Sequence, residues 1–385
     1  MIAVVLLLSS VSLGIVGGTA DYSDFTDPTS DWYGMSMDGI AVARSGSAVA
    51  VGNRWFLTAR HFSLNVGNVL TMQDGSHLTI TNTYTPLTPG SYVDLKLVRV
   101  AEEVDSWYDL YNIYQNPYAT GEPVIIAGTG YTGTTGPGDK FTWSDTTTRD
   151  WRWGTNEITG YQMYDYSAYN SYCMQLNFDL GDTDYESGLG SGDSGGGMFV
   201  KNPSNGEWEL VGISAYIDAR EKVYDTNYAL WMTQYSDWVH SIVPTGDLDD
   251  TDTLTVEDID LLFSVINTLG GATPAGYELY DVNSDGVLDE ADRDFMIRMF
   301  FDTEYGDINL DGKIDLIDVG IFGDNYGLSG SWAQGDFNGD GVVDLIDLGL
   351  IGDGYGFDNT VVPEPASLSL LAIGGLAILR RKRQR

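Results

Sequence analysis

Gly190-Ser191-Gly192-Asp193-Ser194-Gly195-Gly196-Gly197 sets a serine hydroxyl among glycines, with an aspartate directly before it. Glycines adopt the positive φ values of a tight turn and let a substrate carbonyl approach the main chain. In a chain with 47 glycines, a flexible Gly/Ser loop is the plain alternative. The upstream sequence argues against it. Thr58-Ala59-Arg60-His61 closes the apolar run Trp55-Phe56-Leu57, and Asp94-Leu95-Lys96-Leu97-Val98-Arg99-Val100 alternates like a half-buried strand. His, Asp and Ser in that order are the parts of a charge-oriented nucleophile.

With Ile15-Val16-Gly17-Gly18 and Val211-Gly212-Ile213-Ser214 added, these motifs resemble the chymotrypsin/trypsin-like serine proteases, peptidase family S1, across residues 15–243. The resemblance implies a mainly β fold, a double six-stranded antiparallel β-barrel over 15–245, acting on protein or peptide substrates without a cofactor for catalysis. It casts Ser194 as nucleophile, His61 as base and Asp94 as the carboxylate that orients it. The N–H groups of Gly192 and Ser194 become the oxyanion hole. It also implies a buried ion pair between Asp193 and a free amine at Ile15, generated when residues 1–14 are removed. Ser214, Ala215 and Tyr216 are expected beside the substrate. The pocket-floor position, six residues before the serine, falls on Gly188 and not on an aspartate. A Lys/Arg preference is therefore not implied. Tyr216 replaces the usual glycine and suggests a shallow pocket for small or apolar side chains, while Asp184 and Glu186 leave a basic preference open.

Short apolar segments agree with an all-β domain: Ala48–Val51, Trp55–Thr58, Val69–Met72, Leu78–Thr81, Tyr92–Val100 and Pro123–Gly130, separated by Gly, Asn and Pro. His77 and His240 lack a comparable context and read as surface or structural residues. The Tyr- and Trp-rich segment 105–172 reads as core and loop cover. Cys173 is the only cysteine, so no intrachain disulfide forms, although animal members of the family usually carry several. The net charge of −37 argues against nucleic acid as a partner.

Of the 56 acidic residues, 28 lie between residues 247 and 365, and they are periodic. Three twelve-residue loops carry oxygen-bearing side chains at positions 1, 3, 5, 9 and 12, with Gly at position 6: Asp281, Asn283, Asp285, Asp289 and Asp292; Asp307, Asn309, Asp311, Asp315 and Asp318; Asp336, Asn338, Asp340, Asp344 and Asp347. Position 7 (Val287, Lys313, Val342) would add a backbone carbonyl. This is the ligand set of a hard, flexibly coordinated cation, Ca²⁺. A degenerate copy with Asp247, Asp249, Thr251, Thr255 and Asp258 lacks the glycine. Aspartate at position 12 makes the loops resemble dockerin type I repeats, arranged as pairs over 247–302 and 303–358. That resemblance implies a cohesin-like scaffold partner; a self-contained calcium-stiffened stalk is the other reading, and an acidic disordered spacer the plain one.

Residues 1–14 read as a secretory signal peptide without a basic n-region. At the other end, Val362-Pro363-Glu364-Pro365, the apolar stretch 366–379 and the basic run from Arg380 to Arg385 resemble a PEP-CTERM sorting signal, 362–385. It implies sorting to the cell surface by a membrane protease, after transient anchoring through a short transmembrane segment. The combined expectation is a secreted serine endopeptidase. The alternative, from another class, is a catalytically silent protease-fold scaffold or adhesion module docked through its tail, a component of a polysaccharide-degrading assembly.

Overall fold

The computed structural model describes residues 19–359, except 89–90, 105–111, 115–119, 132, 137–139, 144–148, 167–168, 179–184, 221–222, 250 and 252. The chain forms two compact units that meet between Pro244 and Thr245. The expected signal peptide, Ile15, Asp184 and the whole sorting segment lie outside the described residues, and among these no helix is long and apolar enough to cross a membrane.

The first unit is built from two closed antiparallel circuits. One comprises β1 (Ile40–Ala43), β2 (Gly46–Gly52), β3 (Trp55–Ala59), β4 (Val69–Thr71), β5 (His77–Tyr84) and β6 (Leu95–Val100), closing in the order β1-β2-β3-β6-β5-β4. The other comprises β7 (Pro123–Gly128), β8 (Arg152–Tyr166), β9 (Tyr169–Asn177), β10 (Gly197–Lys201), β11 (Trp208–Arg220) and β12 (Val223–Trp231). Its ladder runs β12-β11-β10-β7-β8-β9 and closes because β9 pairs back to β12. Four short strands extend this sheet.

Closure follows from the period of two. Along β3 and β6, Phe56, Val98 and Val100 point into the first barrel with Ala41, Ala43, Ala48 and Ala50. Leu57, Leu95 and Leu97 point the other way and pack with Ile125, Phe199, Ile213 and Leu230 of the second barrel. A strand with both faces buried joins the two barrels into one core. The expected strand Tyr92–Val100 is interrupted at Val93–Asp94: Ser91–Tyr92 belongs to the second sheet and β6 starts at Leu95. Pro123–Gly130, read as a strand followed by a turn, forms a strand over Pro123–Gly128.

The second unit is helical. Helices α1 (Val256–Leu269), α2 (Glu290–Phe295, continued by a π-helical turn), α3 (Leu316–Asn325) and α4 (Leu345–Gly354) each follow one twelve-residue loop. In every case the loop's position 9 is the N-cap and position 12 reaches back to the N-cap N–H, a capping box: Thr255/Asp258, Asp289/Asp292, Asp315/Asp318 and Asp344/Asp347. Ile259, Phe263, Met296, Ile314, Phe322, Phe337 and Ile351 bury themselves around Trp332, whose indole N–H donates to the Asp307 carbonyl at 2.9 Å.

Phe56 is fully buried within the first barrel. Phe56→Ala is expected to lower the stability of the first unit by roughly 3–5 kcal/mol, read from denaturant unfolding.

Candidate active site

β3 and β6 end their ladder with Ala59 opposite Leu95. The chain leaves β3 through Arg60 to His61 and enters β6 from Asp94, so the two side chains meet just beyond the last pair. His61 Nδ1 lies 2.7 Å from Asp94 Oδ2, and the His61 N–H donates to Asp94 Oδ1 at 2.7 Å. Asp94 is fully buried. Its N–H donates to Ser171 Oγ at 3.0 Å, and its carbonyl accepts from the Arg60 N–H at 3.1 Å. An ionised carboxylate can only accept, which places the imidazole proton on Nδ1 and leaves Nε2 as the basic nitrogen.

The nucleophile loop is tied down on every side. The Gly195 N–H donates to the Ser214 carbonyl at 2.7 Å, and the Ser194 carbonyl accepts from the Ser47 N–H at 2.8 Å. Gly195 has a φ of +87°, and a Cβ there would lie 2.1 Å from the Ser47 carbonyl oxygen. Only glycine satisfies both constraints. The fully buried Asp193 carboxylate accepts from the Gly130 N–H through Oδ1 and from the Gly190 N–H through Oδ2, each at 2.7 Å. Its expected partner, the Ile15 amine, lies outside the described residues.

Two N–H groups are aimed outward by this wiring. The Ser191 carbonyl accepts from the Tyr131 N–H, and the Asp193 carbonyl from the Gly196 N–H, both at 2.8 Å. Because N–H and C=O of a trans peptide point in opposite directions, the N–H groups of Gly192 and Ser194 face away from these bonds. Among the described residues neither N–H has an acceptor. Ser194 Oγ donates to the Ala215 carbonyl at 3.4 Å and makes no hydrogen bond to His61 among the described residues. Nucleophile–base hydrogen bonds frequently close only around substrate.

The substrate-side expectations fare differently. Ser214 is fully buried, and its Oγ has no partner among the described residues. A bulge in the β11–β12 ladder between Ser214 and Tyr216 shifts the register, so Ala215 brings its carbonyl to Ser194. Tyr216, expected beside the substrate, is 5% exposed, its ring packed on Tyr164 at 5.0 Å and lying 6.2 Å from the His61 ring. Burial, and next the Asp94 charge, hold its phenol well above the usual tyrosine range. Gly188 is buried, and the neighbouring Glu186 carboxylate accepts from Asn156 Nδ2 at 2.9 Å. Ser171 carries a role that the sequence reading did not assign.

The loops of the second unit repeat one wiring. Position 1 accepts from the N–H groups of positions 5 and 6: Asp281 from Asp285 and Gly286, Asp307 from Asp311 and Gly312, Asp336 from Asp340 and Gly341. Glycine at position 6 has φ of +95°, +79° and +87° in turn. Burial raises Asp281, Asp307 and Asp336, and pushes Asp292 up to about 7, with the Asp281 and Asp285 charges adding to the effect. The oxygen-rich side chains of these loops suit a divalent cation chemically, but among the described residues none of the three brings three carboxylate oxygens within 4.8 Å of one another. Lys313 does not oppose a cation, because its ammonium turns away to Asp358 at 3.1 Å. In the degenerate loop, oxygens of Asp247, Asp249 and Asp258 lie within 4.8 Å of one another.

Ser171→Ala would leave the buried Asp94 N–H without its acceptor. The expected cost is about 1–3 kcal/mol of stability in the first unit, measured by denaturant unfolding.

Comparison with known families agrees with this geometry. The Trypsin family model matches residues 35–239, and the PEP-CTERM protein-sorting motif matches residues 361–384. The first match begins downstream of the Ile15 motif. No curated protein matches the chain. Two antiparallel barrels that bring His61, Asp94 and the Ser194 loop together, over a family match spanning more than half of the sequence, place this chain in the trypsin family.

Proposed function

We propose that the chain is a secreted serine endopeptidase that cleaves peptide bonds through an acyl-enzyme at Ser194. The observation that carries this reading is the 2.7 Å pair between His61 Nδ1 and the buried Asp94, set beside a serine turn with two outward N–H groups. Ser194 Oγ rotates from the Ala215 carbonyl towards His61 Nε2 and attacks the scissile carbonyl while Nε2 takes its proton. The N–H groups of Gly192 and Ser194 hold the oxyanion, each donor worth roughly 3–4 kcal/mol of transition-state stabilisation. His61 then passes the proton to the leaving amine, and water, activated by the same nitrogen, releases the acid product. Asp94 fixes the imidazole and stabilises its charged form.

The tail is proposed to bind Ca²⁺ through the three loops starting at Asp281, Asp307 and Asp336. The cation would neutralise their carboxylates and make folding of the second unit metal-dependent. The resemblance to dockerin repeats supports docking to a cohesin-like scaffold. The sorting motif supports delivery to the cell surface, with residues 1–14 as export signal and a membrane protease removing the terminal segment.

Two experiments test these readings. Intact mass after fluorophosphonate treatment is expected to show one adduct, absent from Ser194→Ala; a folded chain that takes no adduct identifies the silent-scaffold alternative. For the tail, a calcium chelator is expected to abolish the helical circular dichroism of residues 245–385, and added Ca²⁺ to restore it. Helix content indifferent to chelation rules the metal role out.

A further inference from the structure

Tyr164 stands near the end of β8, and its partner across the β8–β9 hairpin is Ser171. Directly opposite residues of an antiparallel pair present the same face. Ser171 accepts the Asp94 N–H on that face, so the hairpin turns Tyr164 towards the catalytic carboxylate. A second cross-strand pair meets it there, Tyr216 on β11 opposite Tyr228 on β12. The Tyr164 ring stacks on both, its centroid 5.0 Å from that of Tyr216 and 4.2 Å from that of Tyr228, at 30° to each. The far end of this stack reaches the reacting groups. Tyr216 lies 6.2 Å from the His61 ring, and the carbonyl of its neighbour Ala215 accepts from Ser194 Oγ.

Space gives the second argument. The substrate side chain before the scissile bond is expected between the floor at Gly188 and the segment from Ser214 to Tyr216. A pocket wide enough for a large side chain leaves the atoms that line it open to water. Here Leu189, Ala215, Tyr216 and Tyr228 are each at most 7% exposed, and Gly188 is buried. Of the three stacked rings, Tyr216 and Tyr228 are buried and Tyr164 is half-buried, which makes Tyr164 the outermost. A basic side chain finds no free acid at this floor either, because the Glu186 carboxylate is buried and engaged by Asn156 at 2.9 Å.

We propose that Tyr164 is a specificity-determining residue: its ring, laid across Tyr216 and Tyr228, fills the space for the side chain before the scissile bond and restricts it to glycine, alanine or serine. The inference rests on the serine-peptidase reading and names its substrate class, peptides cleaved after small residues. The determinant enters from the β8–β9 hairpin, outside the motifs that mark the nucleophile turn and the substrate-side strand. A large side chain would have to displace two ring–ring contacts at once to enter.

The test uses the full chain and two aminoalkylphosphonate diphenyl esters that differ only in the side chain beside phosphorus, methyl or benzyl. The readout is the rate at which each forms an adduct at Ser194, followed by intact mass. The wild-type chain is expected to take the methyl ester about 10²-fold faster than the benzyl ester, the scale of a steric mismatch in an apolar pocket. Tyr164→Ala should bring the two rates within about tenfold by admitting the benzyl group, whereas Tyr164→Phe, which keeps the ring, should hold the wild-type ratio. A general loss of activity cancels in this ratio, so a purely structural role for Tyr164 would leave it in place. Equal or inverted wild-type rates overturn the proposal, as does a Tyr164→Ala chain that keeps the wild-type ratio. If Tyr164→Ala fails to fold, Tyr164→Leu is read in its place with the same two outcomes. A wild-type chain that takes neither these esters nor the fluorophosphonate label overturns the peptidase reading itself, which separates that failure from this one.

Discussion

The site depends on a carboxylate that no solvent reaches. Asp193 is fully buried, and its two oxygens are occupied by the N–H groups of Gly130 and Gly190. Those bonds bend the chain so that the next residue, Ser194, stands at the apex of the turn. They also dictate composition around it: a Cβ on Gly128 or Gly130 would lie 2.5 Å from Asp193 Oδ1. The glycines at and just beyond the end of β7 and the aspartate in the serine loop are therefore one solution to one problem, the burial of a negative charge.

Much of this was legible in the sequence because it is local or follows strand register. A serine turn requires its glycines within a few residues, and Gly195 is required by a positive φ and a close approach together. His61 and Asp94 were legible because one closes an apolar run and the other opens an alternating strand, and antiparallel pairing of those strands brings the borders together. Ser171 was not, since its link to Asp94 spans 77 residues and any hydroxyl on β9 looks alike in sequence. Tyr216 illustrates a different limit. Its ring is buried against Tyr164 and near His61, beside a bulge in the β11–β12 ladder, and periodicity does not reveal an inserted residue.

In the second unit, the acidic repeat and the helix starts turn out to be one feature. The same aspartates at positions 9 and 12 that suggested cation ligands also cap the following helices. Loop and helix are thus coupled through shared atoms, so that ordering one favours ordering the other. The degenerate first loop keeps this coupling through Thr255 and Asp258 even without its glycine.

Cys173 sits fully buried in the shared core of the two barrels, its thiol pushed up to about 12, chiefly by burial. With a single sulfhydryl, the polypeptide has one covalent topology at any ambient potential. Passage between a reducing and an oxidising compartment changes none of its internal bonds. Loop stiffness in the first unit comes from packing, hydrogen bonds and ion pairs, such as the Arg149 guanidinium on the Thr129 carbonyl and the tilted ring contacts of Trp153 with Phe25 and Tyr185. The protein thereby dispenses with oxidative folding.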